Sequence, residues 1–408
     1  MFRKRKIITD EKKIDEILDR YSKEILPTRD KLKTKLLSGD KLKMYVGADP
    51  TGADLHIGHA TNFILLEELR KLGHEVIILF GGFTATIGDP TGKDSERVRL
   101  TKKEVKKNIK NWKEQVSKVI KINDFMNKPR FVNNNDWYSK MGLEKIIEIA
   151  SNFTVQQMIE RDMFEKRIKD GKPVYVHEFF YPFLQGYDSV VLGVDVEIGG
   201  TDQTFNMLAG RTLQERFNKK QKFVISTPLL ENPKTGEKMM NKSTGQYIAI
   251  LEEPNNMFGK VMALPDEVVV NLIKHCTHAT MEKVEEIQKK VEKGDSPKEV
   301  KEEVAFEVVK TYHDEKLAIK AKENFNKLFT KKEISDDIVE FNVEKGKKIM
   351  DFVLEKKMFS SKSEFRRLVE QGAVSVFEGE KIEDPNYELD KNEVIRIGKK
   401  NIFKIVMK

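Results

Sequence analysis

The chain reads as an α/β protein: a Rossmann-like, doubly wound parallel sheet, then an α-helical region and a small α+β unit at the carboxyl end. Three observations predict this. From Lys43 onward, short β-branched and aromatic runs alternate with helix-period apolar patterns, as βαβ units require. Past about Pro265 the composition shifts to helices dense in Glu and Lys, and near the end short strands return. At 408 residues the chain is too long for one ordinary domain, so two or three are expected.

Taken in order, Thr9–Leu36 predicts an amphipathic helix, with Asp10 as its cap and Ile14, Ile17, Leu18 and Tyr21 at helical spacing. Strand Lys43–Ala48, helix Ile57–Lys71, a stop at Gly73 and strand Glu75–Phe80 make one right-handed βαβ unit. Residues from about 100 to 172, opening with a lysine-rich helix over Lys102–Lys121, read as a helical insertion. The sheet resumes with Val194–Ile198, a helix from about Asp202 to Phe217, and strand Lys222–Ser226. The expected layout is therefore a sheet-bearing domain over 1–264, a helical domain over 265–330, a polar linker over 331–346 and a last unit over 347–408. In that unit a helix near Lys348–Lys356, a capping box at Ser361 and Glu364, and strands around Val374–Phe377 and Val394–Ile397 are expected.

Composition narrows the function. Charged residues make up 34% of the chain and the net charge is +8, which suits a polyanionic partner, although a modest excess serves solubility equally well. The single cysteine, Cys276, has no intrachain disulfide partner, which fits a reducing compartment. The basic amino terminus is not followed by an apolar run of signal length, and no segment approaches the ~20 apolar residues of a membrane span. A soluble, cytoplasmic protein without a membrane partner is expected.

In doubly wound sheets ligands sit at the carboxyl ends of the strands, and those turns hold the unusual residues. His56 and His59 flank a helix start, where unpaired N–H groups and the helix dipole already favour anions. Gly58 lets a nucleotide approach the backbone. Alone, His-x-x-His is more often surface decoration or half a metal site. The loop Gly81–Lys93 gathers glycines, Asp89 and Lys93 after a strand, but its spacing is not that of a P-loop. Tyr181, Gln185 and Asp188 fall at i, i+4 and i+7, one helical face among apolar neighbours, so their polar groups need partners. Gly199-Gly200-Thr201-Asp202-Gln203 joins a strand to a helix start, where Asp202 can accept from ribose hydroxyls. Glu237–Gly245 is a basic, glycine-bounded loop. On the helix after Ser361, Lys362, Arg366 and Arg367 suit phosphate-backbone contact, or a solvated face.

The run Asp49–His59 resembles the HIGH-type motif of class I aminoacyl-tRNA synthetases, in the form typical of tyrosyl-tRNA synthetases, and four later motifs follow in that family's order. The resemblance implies activation of L-tyrosine with ATP to tyrosyl-adenylate, then transfer of tyrosine to the 3′ end of tRNA(Tyr). It implies that Tyr45 and Asp188 bind the phenolic hydroxyl, that Asp89, Tyr181 and Gln185 bind the ammonium group, and that Gln203 belongs to the same tyrosine pocket. His56, His59, Thr51, Lys93, Arg97 and Lys242 would stabilise the phosphates, with Gly58, Asp202 and Ser243 also at the ATP site. The KMSKS-like loop departs from the family: Met239 stands where the first lysine is usual and Asn241 where the first serine is, with Lys238 one position upstream. Lys362, Arg366 and Arg367 fall in a segment resembling a ribosomal-protein-type RNA-binding module. Magnesium is expected to arrive with ATP, with no protein metal site, and the resemblance implies a homodimer. Two alternatives stay open: a paralogue that binds RNA without charging it, suggested by the altered loop, and a synthetase for another aromatic amino acid, against which Asp188 argues. Glu197, at a position where relatives often carry glutamine, receives no role.

Overall fold

Six strands form the central sheet: β1 (Glu24–Leu26), β2 (Lys43–Ala48), β3 (Glu75–Phe80), β4 (Arg130–Asn133), β5 (Val196–Gly200) and β6 (Phe223–Thr227). Their order is β1-β6-β5-β2-β3-β4, with β1 antiparallel at one edge and all other pairs parallel. The computed structural model describes residues 6–90, 100–160, 162–240, 247–329 and 339–408, apart from 357, 360, 378, 399 and 400. Met44, Tyr45, Val46, Ile77, Ile78 and Leu79 are all buried, so both faces of the inner strands are covered and the strands read as apolar runs without alternation. The chain leaves β2 for β3 and β4 on one side and returns to β5 and β6 on the other. Strand order thus reverses between β2 and β5, which opens a crevice beyond their carboxyl ends.

Strands β2 and β3 and the Ile57–Lys71 helix span the predicted residues. Elsewhere the structure corrects the reading. The helix expected over Thr9–Leu36 is two helices, Glu11–Tyr21 and Arg29–Leu37, with β1 between them. Apolar spacing runs on past Tyr21, but Pro27 cannot continue a helix, and Glu24–Leu26 instead pairs with Val224–Ser226. Asp10 is the cap as expected, accepting from Lys13 N–H at 3.1 Å. The 100–172 region is not wholly an insertion, because it delivers β4 to the sheet edge beside β3.

The chain divides into two compact units, Met1–Ala318 and Ile319–Lys408. The helices from residue 265 to Tyr312 therefore share the first unit with the sheet, whereas a helical domain over 265–330 was expected. Arg20 shows the physical reason: its buried guanidinium donates to the carbonyls of Lys274 (2.7 Å), Thr277 (3.1 Å) and Ala279 (2.6 Å), which closes the carboxyl end of the Val269–Cys276 helix. That helix packs on the Ile57–Lys71 helix.

In the second unit a four-stranded sheet has the order β7-β12-β11-β9, from β7 (Val339–Val343), β9 (Val374–Val376), β11 (Glu393–Ile397) and β12 (Asn401–Met407). Two short strands, β8 (Lys347–Lys348) and β10 (Glu388–Leu389), pair separately. Phe352, Val353, Phe365 and Val369, from helices Ile349–Glu355 and Lys362–Glu370, pack with Ile395, Phe403 and Ile405 of the sheet. Of the expected linker over 331–346, residues 331–338 lie outside the described residues, and 339–343 are a strand, in which Val339, Phe341 and Val343 alternate with Glu340 and Asn342 and pair in parallel with β12. Ser361 caps the second helix, accepting from Glu364 N–H at 3.2 Å.

Candidate functional site

The crevice beyond β2 and β5 is a cavity of about 910 Å³. Of the predicted site residues, Tyr45, Thr51, His56, Gly58, His59, Asp89, Tyr181, Gln185, Asp188, Asp202 and Gln203 all line it. Lys93, Arg97, Lys242 and Ser243 lie outside the described residues. Lys362, Arg366 and Arg367 are exposed on the Lys362–Glu370 helix of the second unit.

One end of the cavity is walled by β2 and by the Val176–Leu192 helix. Asp188 is 2% exposed; its carboxylate accepts from Trp137 Nε1 at 3.0 Å and Asn134 Nδ2 at 3.2 Å. Burial pushes its carboxyl well above the usual range while those donors pull it back, so the environment suits a group that shares a proton with a neutral hydroxyl. Tyr45, on β2, meets Ser189 Oγ at 3.0 Å, and burial likewise raises its phenol. Tyr181 donates to Asp49 at 3.0 Å, whose other oxygen accepts from Thr84 at 2.7 Å. Gly81 makes this contact possible: a Cβ there would lie 1.8 Å from the Asp49 carboxylate. A relay follows, in which Gln203 donates to Asp89 at 2.8 Å and Asn206 donates to both Gln203 (2.9 Å) and Gln185 (3.0 Å).

At the other end, His56 and His59 stand where the Ile57–Lys71 helix begins, their ring centroids 3.6 Å apart. His56 N–H donates to His59 Nδ1 at 3.2 Å. In the neutral imidazole this places the proton on Nε2, making His59 a hydrogen-bond donor through that atom. The loop before the helix is braced from the Lys102–Ser117 helix: Asn108 donates to Pro50 O (2.9 Å), Trp112 to Gly52 O (2.8 Å) and Gln115 to Ala53 O (2.9 Å). Lys238 reaches the cavity too, 3.6 Å from Asp202. The pair is largely exposed and so contributes little to stability.

Reading the sequence missed Asn134, Trp137 and Ser189 around Tyr45 and Asp188, Asp49 and Thr84 behind Tyr181, and the three residues that brace the loop. Asp49 alone carried a signal, as the first residue after β2.

Against known proteins, the family described as tRNA synthetases class I (W and Y) matches residues 37–330, and the tyrosine–tRNA ligase SYY-like C-terminal domain matches residues 331–405. A tyrosine–tRNA ligase of Carboxydothermus hydrogenoformans is 41% identical over 96% of this chain and 97% of its own length. One from Thermotoga maritima is 41% identical over 95% of each. The crystal structure of a C-terminally truncated mitochondrial tyrosyl-tRNA synthetase from Aspergillus nidulans shares the fold, with a TM-score of 0.67 at 21% identity, covering 78% of this chain and 94% of its own. With its cavity at the strand-order reversal and a histidine pair at a helix start, the chain is a class I aminoacyl-tRNA synthetase, as the family match over residues 37–330 shows. Within that class the chain belongs to the tyrosine–tRNA ligase family, by matches that run along nearly its whole length.

Proposed function

We infer that the cavity activates L-tyrosine with ATP and that the chain then transfers the tyrosyl group to tRNA(Tyr), the tyrosine–tRNA ligase reaction. The observation that carries this reading is one cavity with a buried polar end, at Tyr45 and Asp188, and an anion-favouring helix start at the other. The tyrosine carboxylate attacks the α-phosphorus of ATP and pyrophosphate leaves. The terminal ribose hydroxyl of tRNA then attacks the tyrosyl carbonyl carbon and AMP leaves. No side chain need act as nucleophile, so catalysis rests on positioning and on charge stabilisation.

In this reading Tyr45 and Asp188 hold the phenol, and Asp89, Tyr181, Gln185 and Gln203 hold the ammonium end. His56, His59 and Thr51 donate to the phosphates, Gly58 admits the nucleotide, and Asp202 takes the ribose. By resemblance, Lys93 and Arg97 would hold pyrophosphate, and Lys242 with Ser243 the ATP phosphates. Lys238, placed on the cavity wall, supplies the cation that Met239 does not. Magnesium comes bound to ATP. Lys362, Arg366 and Arg367 contact tRNA, and 1–264, 265–330 and 347–408 act as catalytic, tRNA-contacting and RNA-binding parts. A homodimer is supported by exposed Leu143, Ile147, Val155 and Val176, an apolar set that a second copy would cover. Among the described residues no helix is long and apolar enough to cross a membrane, and we place the enzyme in the cytoplasm.

Tyrosine-dependent ATP–pyrophosphate exchange, followed by charging of tRNA(Tyr), tests the reading. Exchange with tyrosine but no charging would favour the non-charging paralogue, and exchange driven best by another aromatic amino acid would favour the other alternative.

A further inference from the structure

Lys222 lies just before β6, and its side chain is fully buried. Its ammonium forms an ion pair with Glu197 of β5, itself 2% exposed, and donates to Ser189 Oγ at 2.9 Å. Space for it comes from Gly210, within the Thr204–Asn218 helix, where a Cβ would lie 2.4 Å from Lys222 Nζ and 2.9 Å from Ser189 Oγ. Glycine weakens a helix interior relative to alanine, so its presence here has a steric reason. A buried ion pair is a poor source of stability, since apolar side chains of similar volume often serve as well or better. Its location is the more telling property.

Both oxygens of Glu197 lead to residues of the cavity wall. Oε1 accepts from Gln185 Nε2 at 3.3 Å, which leaves the Gln185 carbonyl oxygen as the acceptor of that amide, now bonded to Asn206. Oε2, paired with Lys222, accepts from Ser189 Oγ at 3.2 Å, and Ser189 Oγ is the partner of the Tyr45 hydroxyl at 3.0 Å. We propose that Lys222 and Glu197 are positioning residues for the amino-acid end of the cavity, fixing Gln185 through one carboxylate oxygen and Tyr45, by way of Ser189, through the other. The inference rests on reading this end as the tyrosine pocket. Lys222 supplies the counter-charge that makes a glutamate tolerable there. Without it, a buried negative charge would stand in the wall of a cavity that must admit a carboxylate and a triphosphate.

The test is steady-state ATP–pyrophosphate exchange on the full-length chain, with melting temperature followed in parallel. Tyrosine-dependent exchange by the unaltered chain upholds the assignment of the pocket, so that the variants then bear on the ion pair alone; its absence removes assignment and inference together. Lys222→Met is expected to raise the tyrosine KM about tenfold or more, leave the ATP KM within about twofold, and lower the kcat/KM preference for tyrosine over phenylalanine. Adding Glu197→Gln should recover most of the tyrosine KM, because the amide oxygen still accepts from Gln185 while the unpaired charge is gone. A lower melting temperature with unchanged tyrosine KM and unchanged preference would reduce the pair to a structural role and overturn the proposal. Should Lys222→Met fail to fold, Ser189→Ala decides: the proposal requires a reduced preference for tyrosine with ATP KM unaffected, and an intact preference refutes it.

Discussion

At one end of the cavity Tyr45, Asp188 and Glu197 are 1–2% exposed and bonded to neighbours that are themselves bonded, whereas at the other Thr51 and Asp202 are exposed and His56 and His59 are half-buried beside a loop. In the function proposed above, the contrast follows from what each end would have to do. Telling tyrosine from phenylalanine depends on one hydroxyl, and a site discriminates against its absence only if its own polar groups are buried and already oriented. The phosphate end must admit a large anion and let pyrophosphate go, so donors at a helix start, with access to water, serve it better than a sealed wall.

The largest effect should come from breaking the buried end. Asp188→Asn is expected to lower kcat/KM for tyrosine by about a hundredfold while changing phenylalanine little, as befits a buried hydrogen bond lost at about 1–3 kcal/mol together with its pocket geometry. Tyr45→Phe should act in the same direction and less strongly. An unchanged tyrosine-to-phenylalanine ratio in both would put the phenol elsewhere. At the open end, His56→Ala or His59→Ala should slow adenylate formation about tenfold to a hundredfold with tyrosine Kd within about twofold, because those donors act on charge that develops in the transition state. Single-turnover kinetics separates the two quantities; a weakened Kd with normal chemistry would dissolve the distinction between the ends. Removing 331–408 should leave exchange near normal and cut charging by about tenfold or more at low tRNA concentration, if phosphate contacts by Arg366 and Arg367 supply much of the affinity. Normal charging by that shortened chain would move tRNA binding into the first unit.

The smallest effect concerns the fold beneath both ends. His74 is fully buried, and burial holds its imidazole down to about 4, from an ordinary value near 6.5. Its folded pKa lies below the unfolded one, so the unfolded chain takes up the proton first and stability falls as pH drops from about 6.5 to about 4. The cost from His74 is about 3 kcal/mol, seen as a melting temperature lower by several degrees, and His74→Leu should remove part of that dependence, the rest coming from His275, which burial also holds down to about 4.

What could be read from the sequence was what local pattern encodes. Strand β2, the following helix and β3 were legible because burial, glycine and helical period coincide over Lys43–Phe80. Tyr181, Gln185 and Asp188 were legible because helical spacing puts them on one face. Asn134 and Trp137 were not, since nothing between residues 134 and 188 says that a strand edge will bring them to Asp188. Lys222 was opaque for a related reason: a lysine ahead of a strand ordinarily faces water, and only the fold sets it against Glu197 beneath Gly210. Three-residue β1 and alternating β7 were lost in a helical pattern and a polar stretch, since tertiary pairing decided both.

The parallel pairing of Val339–Val343 with Asn401–Met407 also dictates where this chain can be cut. A break after Gly346 discards the partner strand but keeps Val339, Phe341 and Val343, leaving an alternating apolar ribbon with open N–H and C=O groups along its length. Such a ribbon recruits other chains, and the shortened protein would fail by self-association before its catalysis could be judged. A cut before Val339 leaves no such tail.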